Sequence, residues 1–172
     1  MPDQPGKVKP TIRRATISDL KAITDIYNES VVLSVATFDT EPKTMDDQVV
    51  WFKSHGPKHP ILVAEIGPDV VGWCSLSPWS DRCAYSDSVE LSIYINAGHQ
   101  GKGIGTELVR AVLLEATKHH LHSVVARIET SNSVIIHVLE KFYFQKVGVL
   151  KEIGKKFNRR LDVLIMQLII TG

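Results

Sequence analysis

Cysteine, long apolar runs and net charge are all scarce in this sequence, and each shortage excludes a class of protein. The two cysteines, Cys74 and Cys83, are too few for a disulfide scaffold and lack the paired spacing of a zinc site. No apolar run exceeds strand length, so no membrane-spanning segment is predicted. The net charge of +1, with acids and bases interspersed, gives no basic field for a nucleic acid. We therefore expect a small-molecule partner and interpret both cysteines as unpaired thiols.

Metal-ligand spacing and a targeting segment are also missing. His119, His120 and His122 point in different directions at the end of a predicted helix and have no acidic or cysteine neighbour in sequence, so no metal site is predicted. Residues 1–10 contain three prolines but no apolar stretch, which is typical of a disordered lead-in and not of a secretory signal. Residues 11–172 are then expected to form one domain, with a cytoplasmic location.

The most informative segment is a glycine-rich turn between an apolar strand and an amphipathic helix. Gly101, Gly103 and Gly105 remove side chains that would keep a ligand from the backbone, and the free N–H groups at a helix start converge on an anion. This arrangement predicts a pyrophosphate site, although a turn that merely caps the helix is the alternative. The spacing G-x-G-x-G differs from the dinucleotide fingerprint, and the Gly-Lys-Ser/Thr of a nucleoside triphosphate loop is absent.

Hydrophobic periodicity indicates a fold that mixes helices and strands. Two β-rich runs, 61–66 and 70–76, flank a Gly-Pro-Asp turn as in an antiparallel hairpin, whereas the later half alternates strand and helix. This pattern predicts an α/β fold with a central mixed sheet and helices on both faces. The other predicted strands are 11–15, 89–95, 124–128, 144–149 and 161–170, and the predicted helices are 20–30, one starting at 44, one containing 104–116, and 133–142.

The segment Gln100–Gly105, which reads Q-x-x-G-x-G, resembles the acyl-CoA pyrophosphate loop of the GNAT N-acetyltransferases. The predicted order of elements also resembles that fold, from Thr11 to Ile170. Within the superfamily the chain is similar to the phosphinothricin and methionine sulfoximine acetyltransferases in five separated stretches: Thr37–Pro42, Pro78–Trp79 with Arg82–Tyr85, Val89–Glu90, His99–Gln100, and Asn132–Val134 with His137–Lys141. The resemblance implies acetyl-CoA as cosubstrate and no metal, with the cofactor held by Ile93, Tyr94, Ile95, Gln100, Gly101, Lys102, Gly103, Ile104, Gly105, Thr106 and Asn132.

Amine acetylation needs a group that removes a proton from the acceptor ammonium. Glu90 lies on the strand before the glycine turn, and its apolar sequence neighbours predict surroundings that would raise its pKa. A general base acting directly or through water is one interpretation, and a polar strand-end residue facing solvent is the other. The resemblance favours the base.

His137 lies in an apolar helical run, where a single histidine is ordinarily a core residue. The resemblance implies instead that a histidine on this helix takes part in proton transfer at the CoA sulfur, for which imidazole is suited. Asn132 is first of all a helix N-cap, and by resemblance it also contacts the pantetheine arm or the acetyl group.

The resemblance places the amino acid pocket on Arg82, Tyr85 and Phe38. Arg82 offers a planar two-donor fork for a substrate α-carboxylate, and the two aromatic rings would pack around the remaining side chain. On the residues alone, Arg82 is equally well a surface charge on a loop.

The sequence departs from the family at the end of the last helix, where Tyr143 replaces the usual glycine. A left-handed tyrosine there would cost on the order of 1 kcal/mol, unless the helix ends differently. The best interpretation is an acetyltransferase that acts on the α-amine of a small amino acid or analogue. The amine would attack the thioester directly. The sequence is compatible with a homodimer but does not decide the oligomeric state. Two rivals remain: a peptide or protein N-terminal acetyltransferase, and a non-catalytic acyl-CoA-binding regulator.

Overall fold

The computed structural model of the chain describes residues 9–171, so most of the expected lead-in at 1–10 lies outside the described residues. Within that range four helices and seven strands follow the predicted order. The strands are β1 Thr11–Arg14, β2 Ile61–Ile66, β3 Asp69–Pro78, β4 Ser88–Ile95, β5 Ser123–Glu129, β6 Gln145–Lys156 and β7 Arg159–Ile169. The helices are α1 Leu20–Leu33, α2 Met45–Lys53, α3 Ile104–Lys118 and α4 Ser133–Lys141.

The strands form one mixed sheet in the order β1-β2-β3-β4-β5-β7-β6, in which β4 and β5 are parallel and the other neighbours antiparallel. Side chains of β2 alternate between two apolar cores. Leu62 packs in a core with Leu108 of α3, whereas the next residue, Val63, packs in a second core with Ile23 of α1. Because successive strand side chains point to opposite faces, α3 and α1 cover opposite faces of the sheet. The predicted fold class is confirmed.

The parallel strands β4 and β5 pair over three residues and then separate. The register joins Ser88–Glu90 to Ser123–Val125. Beyond this point β4 stays paired with β3 as far as Ile95, while β5 stays paired with β7 as far as Glu129. The two strands therefore open toward their carboxyl ends, which is where α/β sheets commonly bind ligands.

Helix α1 and strand β6 extend furthest beyond their predicted ends. Helix α1 continues past 30 to Leu33, and its Val31 is buried. Strand β6 continues past 149 to Lys156, with two register shifts along its ladder with β7. The hairpin closes at Phe157 and Asn158, whose φ angles of +49° and +58° fit a two-residue turn of type I′.

Helix α4 ends in a Schellman motif that is built on a tyrosine. Tyr143 has a φ of +66°, the N–H of Phe144 donates to the carbonyl of Leu139 at 3.2 Å, and the N–H of Tyr143 donates to the carbonyl of Glu140 at 3.0 Å. The expectation of a left-handed tyrosine at this helix end is confirmed.

Candidate active site

A cleft of about 660 Å³ opens where β4 and β5 separate. Its size is in the range of small-molecule binding sites. The cleft is lined by the two strands, by the glycine turn with the first residues of α3, by the start of α4, and by the end of α1. The cleft is therefore enclosed by the two separating strands and by parts of three helices, α1, α3 and α4.

The backbone of the glycine turn is open to this cleft. Gly101 and Gly103 have left-handed φ angles of +73° and +82°, and a Cβ at either position would meet no atom of residues 9–171 within 4 Å. The first helical hydrogen bond of α3 joins the N–H of Glu107 to the carbonyl of Gly103 at 3.3 Å. The N–H groups before it have no intrahelical acceptor, so the turn combines free space with donors for an anion.

Polar side chains brace the turn against the end of β4. Gln100 Nε2 donates to the carbonyl of Ile95 at 3.2 Å, and Lys102 Nζ donates to the carbonyl of Gly98 at 3.0 Å. The side-chain oxygen of Asn96 accepts from the N–H of Gly98 at 3.1 Å. These contacts hold the turn in the conformation that leaves its glycines exposed.

Most residues expected to hold the cofactor line the cleft, and Lys102 is the exception. Asn132 lines it as well, and its side-chain oxygen accepts from the N–H of Ile135 at 3.4 Å, so its N-cap role is confirmed. The full set that lines the cleft is Ile93, Tyr94, Ile95, Gln100, Gly101, Gly103, Ile104, Gly105, Thr106 and Asn132.

Glu90 lines the cleft and forms a two-point ion pair with Arg127 of β5. Nε of Arg127 donates to Oε1 at 2.6 Å, and its Nη2 donates to Oε2 at 2.7 Å. The carboxylate raises the pKa of Arg127, and the guanidinium lies 6.0 Å from the ring centre of Trp79. The prediction of apolar surroundings for Glu90 is therefore wrong, because the charged guanidinium of Arg127 on the adjacent strand contacts its carboxylate.

His137 is exposed on α4 and is not among the residues that line the cleft. The positions of α4 after its cap that face the cleft carry apolar side chains, namely Val134, Ile135, Val138 and Leu139. The structure thus brings Glu90 and the glycine turn to one cleft but does not bring His137 there. Its catalytic role stays a prediction.

The three expected substrate residues lie outside the cleft lining. Arg82 and Tyr85 are exposed at a short 3₁₀ turn after β3, where the N–H of Arg82 donates to the hydroxyl of Ser80 at 3.3 Å. Phe38 is in the loop between α1 and α2 and lies against Gly154 of β6. Their substrate roles also stay predictions.

A buried polar network anchors the loop that carries Phe38. Lys156 Nζ donates to the carbonyl of Thr37 at 2.8 Å, and burial lowers the pKa of this lysine. The Tyr27 hydroxyl bonds Asp39 and the hydroxyl of Thr37. Burial also raises the pKa of nearby Tyr94 to about 12, so this phenol stays protonated at neutral pH.

Sequence reasoning missed Arg127 and the contribution of α1. Arg127 is the one charged residue in the run 123–128, and that isolated charge was the available signal. Glu29, Ser30 and Leu33 of α1 line the cleft together with residues 34–36 after the helix, and the carboxylate of Glu29 accepts from the N–H of Ala97 at 3.2 Å. No local pattern indicated that contact.

Residues 10–145 match the family profile of the acetyltransferase (GNAT) domain. The chain belongs to the GNAT acetyltransferase family. The matched residues include the glycine turn, both diverging strands and α4, so every residue that lines the cleft lies within the family match. The predicted resemblance is confirmed, and the chain is an acetyltransferase.

Relatives of this GNAT chain include enzymes with named acceptors. It is 33% identical over 159 residues to the L-methionine sulfoximine/L-methionine sulfone acetyltransferase of Salmonella typhimurium, across 92% of this chain and 93% of the relative. It superposes with a TM-score of 0.91 on a phosphinothricin acetyltransferase of Sinorhizobium meliloti in complex with acetyl-CoA, at 32% identity over 94% of this chain and 89% of that one. It also superposes with a TM-score of 0.90 on a ribosomal-protein-alanine N-acetyltransferase of Brucella melitensis, at 34% identity over 93% of this chain and 99% of that one.

Residues 9–171 contain neither a candidate membrane-spanning helix nor a candidate metal cluster. No helix in this range is both long and apolar enough to cross a membrane. No group of three histidine, cysteine or acidic side chains in it is placed to hold a metal ion.

Proposed function

We propose that this GNAT enzyme acetylates the α-amine of a small amino acid or amino acid analogue, with acetyl-CoA as cosubstrate. The main observation that supports this proposal is that one cleft contains both a helix start suited to an anion and the carboxylate of Glu90. A pyrophosphate-bearing acyl donor needs the first group, and an ammonium acceptor needs the second. The named acceptors of the relatives, methionine sulfoximine and phosphinothricin, support this substrate class.

The residues of the cleft fit acetyl-CoA. The space at Gly101 and Gly103 that a Cβ would fill suits a pyrophosphate, and the N–H groups at the start of α3 supply its donors. Asn132 and the apolar side of α4 would border the pantetheine arm. When bound, acetyl-CoA supplies an activated acetyl thioester, and the chain holds it and handles the proton.

Glu90 is the proposed proton acceptor. Each of its oxygens accepts one hydrogen bond from Arg127, and a carboxylate keeps further lone pairs for a substrate ammonium or a bridging water. Neither Cys74 nor Cys83 lines the cleft. That arrangement supports direct attack by the amine over a thiol-bound acyl intermediate.

The departing thiolate takes up a proton, either from a side chain or from solvent. The positions of α4 that face the cleft beyond Asn132 are apolar, whereas His137 is exposed. The geometry favours a thiolate that leaves without an acid from α4, and a His137 variant tests this point.

Two rival functions give different results in one experiment, a panel of amino acids, their α-amides and dipeptides assayed by thiol release. The proposed function predicts turnover of free amino acids that falls in Glu90→Gln. A peptide N-terminal acetyltransferase, which the similarity to the ribosomal-protein-alanine enzyme favours, predicts that the dipeptide is the better substrate. A regulator predicts calorimetric binding of acetyl-CoA with no turnover of any acceptor. Either result would reject the amino acid assignment.

We further propose that the protein acts in the cytoplasm as a homodimer. Its two free thiols are compatible with a reducing compartment. Strand β6 is an edge of the sheet and exposes apolar side chains at Val147, Val149, Leu150 and Ile153, a surface that a second copy would cover. Light scattering tests this assembly: a parental monomer, or a dimer that persists in Val147→Lys, would reject the β6 contact.

A further inference from the structure

Arg127 lines the cleft beside the proposed base and keeps three N–H donors outside its pair with Glu90. Its ion pair with Glu90 uses Nε and Nη2, two of the five N–H groups of a guanidinium, so both N–H groups of Nη1 and one of Nη2 remain. The side chain is 56% exposed and lines the cleft. A second carboxylate could therefore bind this guanidinium while the pair with Glu90 stays intact.

We propose that Arg127 binds the α-carboxylate of the amino acid substrate, so that the Glu90–Arg127 pair recognises the substrate as a zwitterion. This role rests on the proposed function and names what selects the acceptor at the same site.

The chemistry of the pair matches that of a free α-amino acid. An amino acid carries its ammonium and its carboxylate on one carbon, so the acceptor and the donor that bind them must be adjacent. Glu90 and Arg127 are joined at 2.6 and 2.7 Å and present an oxygen acceptor beside N–H donors. The carboxylate that accepts the substrate proton would then sit next to the group that binds the substrate carboxylate.

Arg127 is better placed for this task than Arg82. The ring of Trp79 lies 6.0 Å from the guanidinium carbon of Arg127, and Glu90 fixes its plane from the other strand, so the fork is oriented before substrate binds. Arg82 is exposed outside the cleft lining and has no acidic partner among residues 9–171.

The test compares kcat/KM for one free amino acid and for its α-amide in the parental enzyme, Arg127→Leu and Arg110→Leu. Arg110 is a matched control because it has an acidic neighbour, Glu107 at 3.9 Å, and lies 5.5 Å from the ring centre of Phe142, yet it does not line the cleft. We expect the parental enzyme and Arg110→Leu to prefer the free acid by roughly 10- to 100-fold. Arg127→Leu should lose this preference mainly through slower use of the free acid.

Several results would overturn the proposal. If Arg127 merely positions Glu90, Arg127→Leu will slow the acid and the amide by the same factor and leave their ratio unchanged. A parental enzyme that shows no preference, or an unchanged ratio in Arg127→Leu, rejects carboxylate binding while the proposed function stands. No turnover of any amino acid rejects both. Arg127→Lys keeps the positive charge but loses the paired N–H donors of the guanidinium, so its ratio of kcat/KM for the free acid to that for the amide should be intermediate. The calorimetric affinity for acetyl-CoA and the melting temperature show that each variant is folded.

Discussion

The ring of Phe38 occupies the space where a side chain on Gly154 would lie. The loop between α1 and α2 therefore rests directly on β6, and the hydrogen bond from Lys156 to the carbonyl of Thr37 joins the same two segments. Through these contacts the β6–β7 hairpin sets the position of the aromatic residue that is expected to border the substrate side chain.

Gly154→Ala should displace Phe38 and raise KM for the amino acid. The new methyl would overlap the ring, which is 36% exposed and can turn toward solvent, so the fold should persist. We expect an increase in KM of roughly five-fold, about 1 kcal/mol, with unchanged calorimetric affinity for acetyl-CoA. Gly148→Ala is the control, because a Cβ there meets nothing within 4 Å among the described residues. If neither Gly154→Ala nor Phe38→Ala alters KM, Phe38 does not border the substrate.

Gly105→Ala should weaken acetyl-CoA binding without destabilising the protein. Gly105 is in the first turn of α3 and lacks the positive φ of Gly101 and Gly103, so alanine introduces no backbone strain, and its methyl would make an ordinary 3.7 Å contact with Ile93. The same methyl would face the cleft that Gly105 lines. We expect a weaker calorimetric affinity at an equal or higher melting temperature. Gly56→Ala, outside the cleft, should leave both unchanged, and equal affinities in the two variants would argue against the pyrophosphate site.

Glu90→Gln should lower kcat while acetyl-CoA affinity is largely retained. Glutamine keeps an oxygen for Arg127 but removes the proton acceptor, and loss of such a group typically slows the chemical step by about 10²- to 10⁴-fold. Steady-state kinetics on the best amino acid substrate measure the effect. A kcat equal to that of the parental enzyme would exclude Glu90 as the base.

His137→Ala decides the remaining catalytic assignment in the same assay. A fall of two orders of magnitude in kcat would support proton transfer by this histidine, as the resemblance implied. Because His137 is exposed and outside the cleft lining, the geometry favours a kcat close to the parental value.

Helices and strands that depend on local interactions could be predicted from local sequence patterns. Strand β2 spans 61–66 as predicted, and α2 begins behind the capping box in which the hydroxyl of Thr44 accepts from the N–H of Asp47 at 3.1 Å. The end of β6 could not be predicted, because charged residues at 151, 152, 155 and 156 interrupt its apolar pattern and the strand is held by its ladder with β7. Apolar character also fails to predict burial at Val50 of α2, whose side chain is 71% exposed.

The same distinction applies to the candidate site: features set by the local sequence could be predicted, and contacts between distant residues could not. The open backbone of the glycine turn could be predicted, because the spacing of its glycines reports directly where side chains are absent. The contact between Glu90 and Arg127 could not, because it depends on which strands are neighbours. The orientation of His137 could not either, because in the run 134–139 apolar residues occur on every side and leave the rotation of α4 undetermined.

Acid should destabilise the protein through Asp19. Arg13 donates two hydrogen bonds to this buried carboxylate, at 2.7 and 2.9 Å, and thereby holds the pKa of Asp19 at about 2. Because the pKa in the unfolded chain is about 3.9, the stabilisation is complete above that value and is lost as pH falls from about 4 through 2. Its size is about 2 kcal/mol.

Urea unfolding measured at pH 6, 4, 3 and 2 checks this window. Asp19→Asn should be less stable at pH 6 and should lose less stability on acidification than the parental protein. Asp25→Asn, which alters a surface pair with Lys21, should follow the parental curve. Parallel curves for the parental protein and Asp19→Asn would show that the ion pair with Arg13 does not contribute.

Tyr143→Gly should raise the free energy of unfolding. Tyr143 holds a φ of +66° at the end of α4, a left-handed conformation that costs a residue with a Cβ about 1–2 kcal/mol. Its side chain is 80% exposed, so little packing is lost with it. Glycine would relieve the strain, although the greater freedom of the unfolded chain would offset part of the gain, and a net stabilisation of about 1 kcal/mol remains. Tyr143→Ala removes the same ring but keeps the Cβ, so it should show no comparable gain. Urea unfolding of the three proteins at neutral pH measures the difference, and equal stabilities for the alanine and glycine variants would mean that the backbone at this helix end is not strained.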